Sequence, residues 1–200
     1  MRRTLAFLIS LLVALNFAWI CPVSAKTDYS RIRVALASMG TPDTVKVTVQ
    51  GNYTIPERPA IALQQKEYTI KLVNGALSLT DGAQIWSLGS GFTFVRGDGN
   101  LRIHNSSYGW INYLGDMAVR IEGNGIRLVN QIHLETYLYG VVPSEMPNSW
   151  PIEALKAQAV AARTYAANAM RPNTYYDLVD TQSSQVYMGY NPSTANAIKA

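Results

Sequence analysis

The sequence predicts an α+β protein: a β-rich N-terminal region followed by a mixed region built around one long Ala-rich helix. Three observations carry that reading. Val45, Val47 and Val49 alternate with Lys46, Thr48 and Gln50, the period of a half-buried strand. Similar short alternating runs recur to about residue 130, separated by Gly, Asn and Pro. From 151 to 170 the pattern changes to eight alanines with Leu155, Lys156 and Gln158, all good helix formers.

In chain order, residues 1–25 read as a secretory signal. Arg2 and Arg3 form a positive start, 5–20 is apolar apart from Ser10 and Asn16, and Pro22 precedes the small-residue pattern Val23-Ser24-Ala25. An uncleaved anchor is the competing reading, because the apolar run is nearly long enough to span a bilayer. Bulky Trp19 and Ile20 before Cys21 argue against lipid attachment. Cys21 is the only cysteine, so a processed chain has no disulfide and no thiolate metal ligand.

Residues 26–112 form the expected β-rich region. Tyr53-Thr54-Ile55 follows the Gly51-Asn52 break, and Pro56 and Pro59 mark a loop. Tyr68, Ile70 and Leu72 alternate up to the turn Asn74-Gly75. Phe92 to Val95 and Leu101 to Ile103 flank the turn chemistry of Gly97-Asp98-Gly99-Asn100. Residues 113–200 form the second region. Met117, Val119 and Ile121 alternate, and Asn124-Gly125 signals a hairpin into Ile126-Arg127-Leu128-Val129. Ser149 is placed to cap the Ala-rich helix, Pro151 suits its first turn, and Pro172 stops it. An extended segment over 175–180, a loop, Gln185 to Tyr190, and a helix start at 194–200 complete the chain.

The composition excludes some functions. Hydrophobic residues make up 48% of the chain, enough for a real core. Setting aside Arg2 and Arg3 leaves 15 basic residues against 13 acids, a net +2 that is too mild for a nucleic-acid binder. No metal-ligand cluster, phosphate loop or serine-nucleophile motif is present, and His104 and His133 read as structural. No cofactor is expected.

The chemistry concentrates at Glu145, a single carboxylate read as lying in a short turn between Pro143 and Pro147, just before a helix. Its neighbours Val141, Val142, Met146 and Trp150 suggest an apolar pocket, where desolvation raises a carboxyl pKa. The bland reading is a helix-entry Glu bonded to backbone amides. Lys156 and Arg163 lie two turns apart on one helix face, positioned either for an anionic ligand or for ion pairs such as Glu153–Lys156. Glu135 reads as part of a helix start, with a second acid as the other possibility. Gln185, Tyr187, Tyr139 and Trp150 are candidates to line a sugar groove, although aromatics are more often core.

The segments Val129-Asn130, Leu134-Glu135 with Tyr137-Leu138, Gly140 to Pro147, Trp150-Pro151, Glu153 to Tyr165, and Gln185-Val186-Tyr187 with Gly189 resemble the SpoIID/LytB family of cell-wall proteins. The likeness covers roughly 113–190 densely and the first half only loosely. It implies an exported bacterial protein of the cell envelope acting on peptidoglycan glycan strands. Some members are lytic transglycosylases, and others enhance an N-acetylmuramoyl-L-alanine amidase. It implies that Glu145 is the catalytic acid and base; Lys156, Arg163, Gln185 and Tyr187 remain the residues' own candidates to contact substrate, and membrane contact is expected only through an uncleaved signal. Zinc-binding members use His and Cys near the Gln-Val-Tyr segment. Here Ser183-Ser184 stand before Gln185, so no metal is expected. Family members continue past this segment, which implies that the 200 residues are an incomplete form whose own activity is open.

Overall fold

The computed structural model describes residues 30–200, so the signal segment and Cys21 lie outside the described residues. The fold is α+β. Among the described residues, twelve short strands form two six-stranded sheets, and three α-helices follow the strand-rich part.

The strands are β1 (Arg31–Ala35), β2 (Thr44–Gln50), β3 (Tyr53–Thr54), β4 (Glu67–Val73), β5 (Ala76–Thr80), β6 (Ile85–Gly89), β7 (Gly91–Arg96), β8 (Asn100–Asn105), β9 (Gly109–Tyr113), β10 (Asp116–Glu122), β11 (Gly125–His133) and β12 (Leu178–Val179). One sheet has the order β12-β1-β11-β10-β7-β3 and the other β6-β5-β4-β2-β8-β9. The alternation in β2 buries Val45, Val47 and Val49 and leaves Thr44, Lys46 and Gln50 exposed, as a period of two requires. These valines share one core with Leu77 and Leu79 of their own sheet and with Phe92, Phe94, Met117, Val119 and Leu128 of the other. The two sheets therefore stabilise each other by burying their inner faces. The pairing also crosses the 112/113 boundary read from the sequence: β1 lies between β11 and β12.

The Asn74-Gly75 hairpin forms as expected, with Val73 opposite Ala76. The next hairpin is shifted by one residue from the expected turn. Glu122 pairs with Gly125, so Gly123-Asn124 are the turn residues. Gly125 belongs to the strand and is small for another reason: a Cβ there would stand 2.0 Å from the Thr41 carbonyl oxygen.

The helices are α1 (Leu134–Glu145), α2 (Ile152–Ala169) and α3 (Ala195–Lys199). Helix α1 buries Leu134, Tyr137, Leu138, Val141 and Val142, a stripe at i, i+3, i+4, i+7 and i+8. Glu135 in its first turn complements the helix dipole. Helix α2 buries Leu155, Ala159, Ala162 and Ala166, and these small side chains let it pack closely on α1. Ser149 makes no cap; α2 starts directly at Pro151, whose carbonyl accepts from Ala154 N at 2.9 Å. No described helix is long and apolar enough to cross a membrane.

After α2 the chain is clamped back onto the first sheet. Arg33 on β1 donates to Asp177 through Nε (3.0 Å) and Nη2 (2.6 Å), and to the carbonyls of Arg171 and Thr174. Asp177 also accepts from the backbone N–H of Arg33 and of Arg171. Burial opposes ionisation of Asp177, but these donors outweigh it and hold its carboxyl below the ordinary value. A depressed folded pKa contributes stability above the unfolded value of about 4, and that contribution disappears as pH falls through the lower folded value. Unfolding midpoints measured against pH are therefore expected to fall below about pH 4, and the fall should be shallower in Asp177→Asn.

Candidate active site

The sequence reading placed Glu145 in a turn before a helix. It is the last residue of α1. Leu134, Leu138, Val141 and Glu145 are spaced i, i+4, i+7 and i+11, so Glu145 continues the buried stripe. The stripe runs past the end of the core at that point, and the Glu145 side chain is exposed. This corrects the expected apolar enclosure, because the neighbouring valines face the core and not the carboxyl. Glu145 Oε1 accepts the backbone N–H of Val186 at 2.8 Å, while Oε2 makes no hydrogen bond with the described residues. One oxygen is pinned and the other is open.

Two hollows lie beside Glu145. The first, about 490 Å³, is walled by Tyr139, Pro143 and Ser144 of α1 and by Asn112, Met188 and Tyr190. The second, about 480 Å³, is walled by Ser38, Tyr108, Asp180, Ser183, Val186 and Met188. Glu145 itself lines neither hollow: its neighbour Ser144 lines the first, its partner Val186 lines the second, and Met188 lines both, so the carboxyl lies beside them. The volumes are those of sites that hold small ligands. Asp180, not foreseen from the sequence, is only 3% exposed. It accepts from Ser38 N (2.8 Å) and Ser38 Oγ (2.5 Å), and burial pushes its carboxyl up despite these bonds.

The segment 185–190 is threaded between α1 and β9 without forming a strand. The Tyr187 ring lies 4.9 Å from the Tyr137 ring and 5.9 Å from that of Tyr113. Its hydroxyl donates to Asn130 Oδ1 at 2.8 Å, and Asn130 Nδ2 donates to the carbonyls of Leu114 and Asp116. Burial raises the pKa of all three tyrosines. Tyr187 is 1% exposed and Gln185 8%. Gln185 accepts from Tyr137 OH and donates to the Ala162 carbonyl. Both are candidates for substrate contact; here both are buried, on either side of the Val186 N–H that binds Glu145.

Lys156 and Arg163 both stand in ion pairs, the alternative that the sequence offers for them. Lys156 donates to Glu153 at 2.9 Å, an exposed i,i+3 pair of small energetic weight. Arg163 grips Glu135 with Nε and Nη2, each at 2.7 Å, which holds the Glu135 carboxyl below its ordinary value. Glu135 lies ten residues before Glu145, about 15 Å along the helix. Neither Arg163 nor Glu135 therefore belongs to the Glu145 cluster. Tyr139 does line the first hollow; exposed Trp150 lines neither. Among the described residues no group of three or more His, Cys, Asp or Glu is placed to hold a metal ion.

The family model described as Stage II sporulation protein, SpoIID, matches residues 122–200, the hairpin end through α3. Those residues belong to the SpoIID/LytB family. An uncharacterized protein of Brachyspira hyodysenteriae is 32% identical over 173 residues, 84% of this chain and 45% of that protein. That likeness is longer than the SpoIID region and so reaches into the strands before it. The amidase enhancer of Bacillus subtilis is 50% identical over 64 residues, 31% of this chain and 8% of that protein. Stage II sporulation protein D of Bacillus amyloliquefaciens is 51% identical over 65 residues, 30% of this chain and 19% of that protein. The chain thus spans under half the length of these relatives. No solved structure matches it.

Proposed function

We propose that the SpoIID region acts on the cell wall as a peptidoglycan lytic transglycosylase, with Glu145 as its single acid and base. The observation that supports this reading best is the placement of Glu145, pinned through one oxygen and open at the other, beside two hollows lined by its neighbour Ser144 and its partner Val186. An extended glycan lying across both hollows brings a glycosidic bond to Oε2 and covers the carboxyl. Removal from water is the condition under which a carboxyl keeps its proton near neutrality.

The protonated Oε2 donates to the leaving glycosidic oxygen as the C1–O bond of N-acetylmuramic acid breaks. The C6 hydroxyl of the same sugar then bonds to C1 and returns its proton to Glu145. The Val186 N–H stabilises the carboxylate formed between the two steps, as a charge-assisted hydrogen bond does. One glycosidic bond is broken, one intramolecular glycosidic bond from C1 to the C6 oxygen forms, and no water is consumed. A two-carboxylate hydrolase would instead need a second acid opposite the first; Glu135 is engaged by Arg163 at the other end of α1, and both oxygens of Asp180 are engaged by Ser38. Such a function places the chain outside the cytoplasm, in keeping with the signal read at 1–25.

Digestion of peptide-stripped glycan strands in ¹⁸O-labelled water tests this. The expected products carry unlabelled 1,6-anhydro-N-acetylmuramic acid ends. Labelled reducing ends would mean hydrolysis and would overturn the mechanism. A second reading, a non-catalytic wall-binding enhancer of an amidase, draws on the exposure of Glu145 and the likeness to the amidase enhancer. It requires a Glu145→Gln variant to accelerate a wall amidase as well as the unaltered chain does.

A further inference from the structure

A third hollow lies elsewhere, about 520 Å³ on the first sheet beside the β10–β11 hairpin. It shares no lining residue with the two hollows at Glu145. Its floor is β7 and β10, and its walls carry Glu57, Arg120, Tyr175 and Tyr176. The Arg120 guanidinium lies 4.4 Å over the Tyr175 ring. Stacking of this kind holds the planar fork in place and leaves its N–H donors free. Those donors make no hydrogen bond or ion pair with the described residues, whereas the neighbouring Arg127 is committed to Glu122 and the Gly40 carbonyl. Glu57 accepts the Thr93 N–H through Oε2, and its other oxygen is open.

This hollow has a rigid frame. Tyr175 and Tyr176 sit between Thr174 and Asp177, the residues that Arg33 clamps to β1. Tyr175 is nonetheless 70% exposed, a large ring face turned to solvent on a fixed segment. Paired arginines and glutamates leave the hollow formally neutral, which disfavours a phosphate polyanion. One free guanidinium, one open carboxylate oxygen and two tyrosine rings suit a polyhydroxylated ring bearing a single carboxylate. The fork takes the carboxylate, the carboxylate oxygen accepts a hydroxyl, and a tyrosine covers the apolar ring face.

We infer that this hollow is a second, non-catalytic saccharide site for a carboxylate-bearing sugar, with Arg120 as the carboxylate receptor and Tyr175 as the stacking platform. The choice of N-acetylmuramic acid as that sugar rests on the cell-wall reading above. Its lactyl carboxylate is free once the stem peptide is gone, and Lys156 and Arg163 are already paired.

Titration of the 200-residue chain with N-acetylmuramic acid, followed by NMR of the Arg120 Nε–H and the Gly91 to Thr93 amides, tests the inference. Saturable shifts are expected at these groups. N-acetylglucosamine, which lacks the carboxylate, should bind more weakly. Arg120→Gln should weaken N-acetylmuramic acid binding by about 10-fold to 100-fold, the loss of a hydrogen-bonded charge. Glu145→Gln should leave it unchanged, which separates this site from the catalytic proposal. Absence of saturable shifts, or indifference to Arg120→Gln, would overturn the inference. Equal binding of N-acetylglucosamine, or of a blocked dipeptide with a free carboxyl and no sugar ring, would overturn it too. Arg120 and Tyr175 are both exposed, so neither substitution threatens the core.

Discussion

Gly140→Ala is expected to unseat the 185–190 segment and with it the contact that pins Glu145. Two effects oppose each other at this position. Replacing Gly by Ala inside a helix gains about 1 kcal/mol in propensity. Against that, the new Cβ of α1 would stand 2.1 Å from the Gly189 carbonyl oxygen and 2.5 Å from Tyr187 Cε2. The first neighbour is backbone. The second is a fully buried ring tied to Asn130. Neither can swing aside as the end of a flexible side chain could. Overpacking of this kind costs about 3 kcal/mol, so the overlap wins. Denaturant unfolding should show a net loss of about 2 kcal/mol, and Tyr187 should lose its NMR signature of burial. A gain in stability would mean that α1 and the 185–190 segment are not packed as described.

The same contact explains what the sequence disclosed and what it did not. The β-rich half was legible because β2 and β4 each bury one face, and burying one face imposes a period of two on the residues themselves. The Glu153–Lys156 pair was legible because helix geometry alone brings residues three apart together. The start of α1 at Glu135 was legible, but its extent was hidden by Gly140 and Pro143, both helix breakers by propensity. Its buried stripe at 134, 137, 138, 141 and 142 was the signal that could have revealed it. Gly140 is there for the passage of another segment, and Pro143 falls in the last turn, just before the helix ends at Glu145.

The roles of Gln185 and Tyr187 were not legible for a different reason. Their partners Tyr137 and Asn130 lie 48 and 57 residues away, and no local pattern reports such a pairing. Polar, aromatic residues near a candidate site read as ligand contacts, yet here they form a buried support. Asn130 is the counterpart on the sheet: 0% exposed, it satisfies two carbonyls and the Tyr187 hydroxyl at once. The exposure of Glu145 follows from its position one turn beyond the buried end of its stripe, which depends on where the core stops.

The catalytic claim is tested most directly by Glu145→Gln. The amide keeps the size of the side chain and still offers an oxygen to the Val186 N–H, so the unfolding midpoint should stay within about 0.5 kcal/mol of the parent. What it loses is the proton that Oε2 must give and take back. Release of 1,6-anhydro ends from peptide-stripped strands, measured by mass spectrometry on the parent and the variant side by side, is expected to fall by about 10²-fold to 10⁴-fold. A variant that folds normally and releases these ends at the parent's rate would contradict the assignment of Glu145 as acid and base.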